Sequence, residues 1–396
     1  MAHISFEESQ KILKENLPKT KDSEKVFLDN ALNRILAEDI AAKYDNPYMP
    51  TASMDGYAIR YEDIEKEIKI IGRNPAGSFE FNKISNGEAV KTFTGSFMPE
   101  GSDTLVPIEN VEVKGDKLIV KEKVEKGYSV RPVGEDFRKG EVLIKKGTVI
   151  KAGEIGVLAS LGISSVYVVR KPVVSIIATG EEIADINDEV RLGQIRSSNN
   201  YTLNALARSL GYDSHNLGIA GDKKNEIKEK ILNALDSSDI VVTTGGVSVG
   251  DFDFVKEVTG EFDVLFHGVN IKPGQWIMVA RAGSKYIVSL PGFPYSSFVT
   301  FLLYVAPIAD SFENKKSVEF LSATLRDDFK KVFKKTQFVA VNLSFENGKY
   351  VVDVRGKKSG SSAILTNLIT TKALMWLDEG LYELKAGSEV RIIKFY

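Results

Sequence analysis

The chain has 396 residues, 43% of them apolar and 27% charged, which is long enough for several hydrophobic cores and too apolar for a disordered or fibrous polymer. Its 52 basic and 54 acidic residues leave a formal charge of -2, so no global field draws nucleic acid or an anionic membrane, and any anion site must be local. There is no cysteine, which removes disulfides, zinc–thiolate and iron–sulfur sites and cysteine nucleophiles.

Ser5 followed by Glu8, with Phe6, Ile12, Leu13 and Leu17 behind them, predicts a capped helix ending near Pro18. The same stretch lacks the uninterrupted apolar core of a secretory signal, so the expected location is the cytoplasm. Leu28, Ala31, Leu32, Ile35 and Leu36 share one helical face and predict a second helix, followed by the Pro-containing loop DNPYMPTASMDGYAI. From Ile68 to Leu143 short alternating or β-branched runs are broken by Gly, Asn and Pro. In this β-rich segment VEVKGDKLIV reads as a hairpin turning at Gly115-Asp116.

Past Arg170 strands alternate with helices. The strands are VVSIIA, HNLGIA and DIVVTT; the helices are marked by Leu203, Leu206 and Leu210, closed by Gly211, and by Ile227, Ile231, Leu232 and Leu235. That alternation predicts a doubly wound α/β domain, a parallel sheet with helices on both faces. WIMVA and YIVSL then lead through LPGFPYSS into an apolar helix near 295–309, whose apolar run is too short to span a bilayer and reads as buried. The remainder returns to alternating strands, QFVAVNLSF, KYVVDVR and SEVRIIKF, which predict a small β-barrel or sandwich.

Ligands of open α/β sheets sit beyond the carboxyl ends of the strands. Three such ends carry unusual loops, TGEEI, GGVSVGDFDF and PGFPYSS, expected to converge on one site. In the middle loop Gly245, Gly246 and Gly250 let the main chain approach a ligand while Thr244 and Ser248 offer hydroxyls, as an anion cradle requires. An isolated Gly-Gly pair reads more simply as a strand-to-helix turn. The loop matches neither GxGxxG nor GxxxxGK[ST], so no dinucleotide or Walker-type site is inferred. Asp55, Asp136, Glu182, Asp222, Asp251 and Asp253 recur at loop positions; a subset suits Mg²⁺ shared with substrate phosphates, whereas singly each reads as a cap or a solvated loop residue. Lys272 and Arg131 are the basic residues expected nearest the anion. His3, His215 and His267 are scattered without metal-ligand spacing, and no GxSxG elbow is present.

With these stretches in view, the chain resembles the molybdopterin molybdenumtransferases. Seven pieces stand in family order: PTASMDGYAI, TFTGSFMPEGSDTLVPIEN, RPVGEDFRKGEVL, IIATGEEI, TTGGVSVGDFDF, IKPGQ and LPGFPYSS. The resemblance implies a homodimer of elongated, multidomain protomers, α/β plus β. Its domains would be a linker domain (1–45 and 125–170), an inserted β-rich domain (46–124), an α/β molybdopterin-binding domain (171–312) and a C-terminal β-barrel (313–396). The family's cleft lies between the α/β domain and domains two and four of the partner subunit. The implied reaction inserts molybdenum from molybdate into adenylylated molybdopterin, with Mg²⁺-assisted release of AMP, alongside other proteins of molybdenum cofactor synthesis. Carried over by motif, the catalytic positions are Asp55, Asp136, Glu182, Asp222, Asp253 and Lys272, with Glu182, Asp222 and Asp253 at the metal. Substrate-binding positions are Thr94, Thr179, Gly245, Gly246, Ser248, Gly250, Pro291, Gly292 and Pro294, with Lys335 and Ser362 joining Lys272 around the oxyanion, molybdate or tungstate. The chain departs from the family at Gln275-Trp276, where members read PGKP, at Lys335 in place of an arginine, and at Thr366-Asn367 in place of a serine pair. Lysine supplies charge without a bidentate fork. Two other readings are molybdopterin adenylyl transfer, which the α/β domain alone would suit, and a gephyrin-like scaffold.

Overall fold

In the computed structural model residues 3–18, 22–77, 83–247 and 254–395 are described. Helix α1 (Phe6–Glu15) begins where its capping residue predicts: Ser5 Oγ accepts the Glu8 N–H at 3.0 Å, and Phe6 and Leu13 face inward. The second predicted helix does not form. Beyond a 3₁₀ turn at Leu28–Asn30, Asn33 takes a left-handed conformation (φ 64), and the N–H groups of Asn33, Leu36 and Ala37 bond to the carbonyls of Ile150, Thr148 and Tyr167. The apolar spacing marked buried side chains, Ala31 and Leu36 among them, but ladder bonds to distant segments replaced the helical ones.

The described chain forms two compact units, Ser23–Val169 and Met1–Asp22 with Arg170–Tyr396. The first unit holds a six-stranded sheet of β1 (Gly56–Ile59), β2 (Ile68–Asn74), β3 (Glu88–Thr92), β4 (Thr104–Pro107), β5 (Val111–Lys114) and β6 (Lys117–Val120), in the order β4-β1-β3-β2-β6-β5. The β5–β6 hairpin turns at Gly115-Asp116 with Gly115 at φ 66. A separate core in this unit gathers Leu36, Ile150, Leu158 and Val168, beneath the pairing of Ser23–Phe27 with Ser165–Val169.

The second unit is built on a sheet of β7 (Val173–Thr179), β8 (Asp213–Ala220), β9 (Ile240–Thr244), β10 (Asp263–His267), β11 (Met278–Ala282) and β12 (Lys285–Leu290), ordered β8-β7-β9-β12-β11-β10. The four strands from β8 to β12 run parallel, as expected; β11 and β10 add an antiparallel edge, because WIMVA and YIVSL fold back on each other as a hairpin. Alternation sends Val174, Ile176 and Val242 to one face, against α2 (Ser198–Ser209) and the helix from Pro294, and Ile177 and Val241 to the other, against α3 (Lys224–Ser237) and α4 (Phe254–Thr259).

The apolar helix runs 20 residues, Pro294–Glu313, longer than expected. It is long and apolar enough to cross a membrane by composition, yet 89% of its apolar window is buried in protein. A π turn at Phe301–Val305 interrupts it before Pro307. Proline has no N–H to give the Leu303 carbonyl four residues back, and Gln10 Nε2 of α1 donates there instead at 3.3 Å.

The chain ends in a closed five-stranded barrel: β13 (Glu319–Leu325), β14 (Thr336–Glu346), β15 (Lys349–Asp353), β16 (Ala373–Leu377) and β17 (Glu389–Lys394), joined in the cycle β14-β15-β13-β17-β16-β14. The barrel resolves the choice between barrel and sandwich. Its Phe338, Leu374 and Ile393 share one core with the α/β layer, and Tyr295 clips the two together, its hydroxyl donating to the Phe338 carbonyl at 3.0 Å and accepting the Ala340 N–H at 2.7 Å.

Candidate functional site

The chain passes from β7 to β8 on one side of it and then from β8 across to β9 on the other, so the carboxyl ends of β7 and β9 form a switch point where a crevice must open. A cavity of about 600 Å³ lies there. All three expected loops reach it, through Thr179 and Glu182, through Thr244 to Val247, and through Pro291 to Pro294; from the barrel side Ala363 and Leu365 complete it.

The main chain shapes this space. Gly245 (φ 94) and Gly246 (φ 62) occupy conformations that side-chain-bearing residues avoid, and a Cβ on either would come within 2.8 Å of Thr179 O or of Val255 Cγ2 respectively. Gly245 N–H donates to Leu290 O at 3.1 Å and Thr179 Oγ1 donates to Thr244 O at 3.2 Å, so the three strand ends are laced together. Gly180 (φ 139) leaves room for the Glu182 carboxylate, which a Cβ there would meet at 2.5 Å.

One contributor was not singled out from the sequence: the N-terminus of α2. Ser197, Ser198 and Asn199 line the cavity; Ser197 is buried, and Asn199 Nδ2 donates to Gly292 O at 2.7 Å, fixing the third loop against the helix. The signal was present as the Ser-Ser-Asn-Asn run ahead of Leu203, a cluster of capping residue types. Arg196 also lines the space, its guanidinium held by the carbonyls of Asp185, Ile186 and Asp188 at 2.6–3.1 Å.

The remaining candidates divide. Asp222 lies outside the cavity wall, its carboxylate accepting the Glu181 N–H at 3.2 Å. Ser248, Gly250, Asp251 and Asp253 lie outside the described residues. Among the described residues no three His, Cys, Asp or Glu side chains cluster as a metal site. Lys272 and Ser362 come together in a second cavity of about 260 Å³, with Tyr295, Lys357 and Lys358. Lys272 Nζ sits 4.9 Å over the Phe333 ring. Lys357 is committed internally, its ammonium donating to Asn367 O, Ile369 O and Thr371 Oγ1 at 2.6–3.0 Å, and burial lowers its pKa. Lys335 is not part of that wall and donates to Gln275 Oε1.

In the Ser23–Val169 unit Asp55 Oδ1 accepts both the N–H and the hydroxyl of Thr94, at 2.8 and 2.7 Å, and these bonds, the backbone one first, hold its pKa below the usual aspartate value. Asp136 accepts Asn46 Nδ2 at 2.9 Å, while Arg131 pairs with Glu135.

Three family models match the chain: the MoeA N-terminal region (domain I and II) over residues 4–162, a probable molybdopterin binding domain over 175–311, and the MoeA C-terminal region (domain IV) over 322–395. A molybdopterin molybdenumtransferase of Staphylococcus aureus strain Mu50 is 36% identical over 383 residues, covering 93% of this chain and 90% of the relative. The chain belongs to the molybdopterin molybdenumtransferase family. Membership carries the class: an enzyme, a transferase of a late step in molybdenum cofactor biosynthesis. A second relative of the family, from Staphylococcus epidermidis strain RP62A, is 33% identical over 380 residues, again 93% of this chain and 90% of its own. Two solved structures of the molybdopterin biosynthesis MoeA protein from Pyrococcus horikoshii superpose over 100% of both chains, with TM-scores of 0.86 and 0.80 at 29% and 31% identity.

Proposed function

We propose that the chain inserts molybdenum from molybdate into adenylylated molybdopterin and releases AMP with the help of Mg²⁺, as a cytoplasmic homodimer. The observation that carries the reading is the 600 Å³ cavity at the switch point, floored by Gly245 and Gly246 and walled by Glu182 and the α2 N-terminus. Its size suits a phosphorylated heterocycle, and its main-chain floor suits phosphate oxygens.

In this reading water cleaves the phosphoanhydride between AMP and the pterin phosphate over the glycine floor, so that AMP leaves and the pterin keeps its phosphate. Thr179, Gly245, Gly246, Gly292 and the α2 N-terminus orient the phosphates, with Ser248 and Gly250 in the same loop. Pro291 and Pro294 keep the third loop in shape. A Mg²⁺ ion takes one or two protein carboxylates and completes its shell with phosphate oxygens and water. One described carboxylate, Glu182, faces the cavity, which fits an ion shared with substrate; Asp222 and Asp253 are the further candidates. Bound there, the ion would neutralise phosphate charge as the anhydride breaks. Molybdate or tungstate belongs near Lys272 and Ser362, with Lys335 beside them. Asp55, Thr94 and Asp136 are assigned to the same reaction on the family motifs. The four-domain division is proposed with the bounds 1–45 with 125–170, 46–124, 171–312 and 313–396.

The test is to incubate the pure protein with adenylylated molybdopterin, Mg²⁺ and molybdate and follow AMP. Molybdate-dependent release is expected. Consumption of ATP to adenylylate free molybdopterin would instead make it an adenylyltransferase, and inertness in both assays a binding protein. Light scattering on the eluting protein checks the dimer.

A further inference from the structure

Beyond the glycine floor and the charged Glu182 and Arg196, the first cavity is lined by apolar side chains, Ile183, Val247, Phe293 and Leu365 among them, and the indole of Trp276 closes the wall. We propose that Trp276 is the surface on which the planar nitrogen heterocycle of the substrate stacks, pterin or adenine, and that it is a specificity-determining residue of this chain. The proposal rests on the functional reading above and names the group that reading leaves without a partner.

The indole is braced rather than loose. The His3 ring meets it edge-on at 4.6 Å and 86°, and the His267 ring lies 6.0 Å away at 38°. His267 Nε2 is 3.2 Å from the carbonyl of Val247, so the brace is tied to the cavity floor. On either side of Trp276 the main chain is pinned: Gly268 N–H donates to Ile277 O at 2.8 Å and Val269 N–H to Gln275 O at 2.9 Å. The side chain itself is half-buried, packed on one side and open to the cavity on the other.

A phosphate can use only the indole N–H and gains nothing from the ring's π face, and an aromatic face left to water is an unfavourable surface. A flat, electron-poor heterocycle laid on it removes that surface and gains stacking, a sequence-tolerant contact because every such ring has a π face.

The chain has two tryptophans, and Trp376 sits in β16 against Phe6, with the Arg391 guanidinium 3.8 Å from its ring centre, outside the cavity wall. Trp276→Phe therefore removes the responsive fluorophore and keeps a π face, while Trp276→Ala removes both. Wild type and both variants are titrated with AMP, with neopterin monophosphate and with ribose 5-phosphate, by tryptophan fluorescence and by calorimetry.

The expected result is quenching of wild type by at least one ring-bearing ligand, lost in Trp276→Phe although calorimetric binding persists. In Trp276→Ala affinity for that ligand falls roughly five- to hundredfold, while ribose 5-phosphate binds all three proteins alike. An effect on AMP alone identifies the ring as adenine, and an effect on the pterin alone identifies it as pterin. Unchanged ring affinity in Trp276→Ala overturns the proposal, as does a parallel loss of ribose 5-phosphate or a wild type that neither binds nor is quenched by either ring. Should wild type show no molybdate-dependent AMP release while Trp276 still governs ring affinity, the functional reading falls and this one stands.

Discussion

The two cavities flanking the α/β layer and the barrel are furnished in opposite ways. The larger owes its shape to main chain and to glycines at positive φ, with Glu182 and Arg196 as its charged lining residues; the smaller is ringed by lysines, and one of them, Lys357, is wholly engaged by carbonyls and a hydroxyl of the protein. The difference matches two kinds of anion. Esterified phosphates are held well by fixed N–H groups in a close-fitting trough. A small free oxyanion depends on side-chain charge; of the residues where the sequence departs from the family motifs, Asn367 lines the smaller cavity and Trp276 the larger, while Lys335 and Gln275 bond to each other outside the smaller wall.

Substitutions on either side put this contrast to the test. The largest effect is expected from Gly245→Ala, because its Cβ would press on Thr179 O at 2.8 Å from a left-handed backbone. AMP release should fall on the order of a hundredfold or more, and denaturant unfolding should show a loss of roughly 1–3 kcal/mol. Wild-type turnover in this variant would show that the floor is not set by main chain. Next comes Glu182→Gln, expected to lower Mg²⁺-dependent turnover on the order of a hundredfold with an unchanged melting temperature. Chelating Mg²⁺ from wild type should bring it to the same level; a variant still responsive to Mg²⁺ with normal affinity would remove Glu182 from the metal.

On the oxyanion side, Lys272→Ala should raise the KM for molybdate about tenfold, as losing one charge-assisted bond does. Lys335→Ala should raise it less, because that ammonium already donates to Gln275. The reverse ranking would move the oxyanion out of the smaller cavity. The smallest effect concerns Asp55. Its pKa is lowered in the fold, so its stabilising contribution is present above the unfolded value near 3.8 and is lost as pH falls through the lower folded value. Thr94→Ala removes one of the two bonds to Asp55 Oδ1. Its unfolding free energy should sit slightly below wild type at pH 7, with the gap closing toward pH 2; a gap independent of pH would assign the loss to something other than the carboxylate.

Much of the fold was legible because its periodicities are clean. The strand VVSIIA is buried, the helix marked by Ile227, Ile231, Leu232 and Leu235 buries all of these but Leu232, and the hairpin turns at Gly115-Asp116 although Val113 and Ile119 in it are exposed. The segment from Leu28 to Leu36 misled because apolar spacing suggests a helix: Ala31, Ile35 and Leu36 do face inward while Leu32 is exposed, but Asn33 turns left-handed and the backbone bonds go to segments more than 100 residues away. At the site, glycine spacing signals where main chain must come close, and the three loops it marked do meet. Trp276 and the α2 N-terminus carry no such mark, because a wall residue or a helix end becomes meaningful only through the cavity that tertiary packing creates around it.

The Gln10 bond to Leu303 O has a consequence for the order of assembly. Helix α1 is made first, yet the groups it serves come last: Ser9 meets Tyr304 across 295 residues, Gln10 meets Leu303 across 293, and Phe6 packs on Phe338 and Trp376. At the usual rate of about 5–20 residues per second, a ribosome needs tens of seconds to deliver them. Through that interval the whole Ser23–Val169 unit emerges and can close on contacts of its own, while the chain's first helix waits, amphipathic and unpaired, for the core helix that it will repair at Pro307.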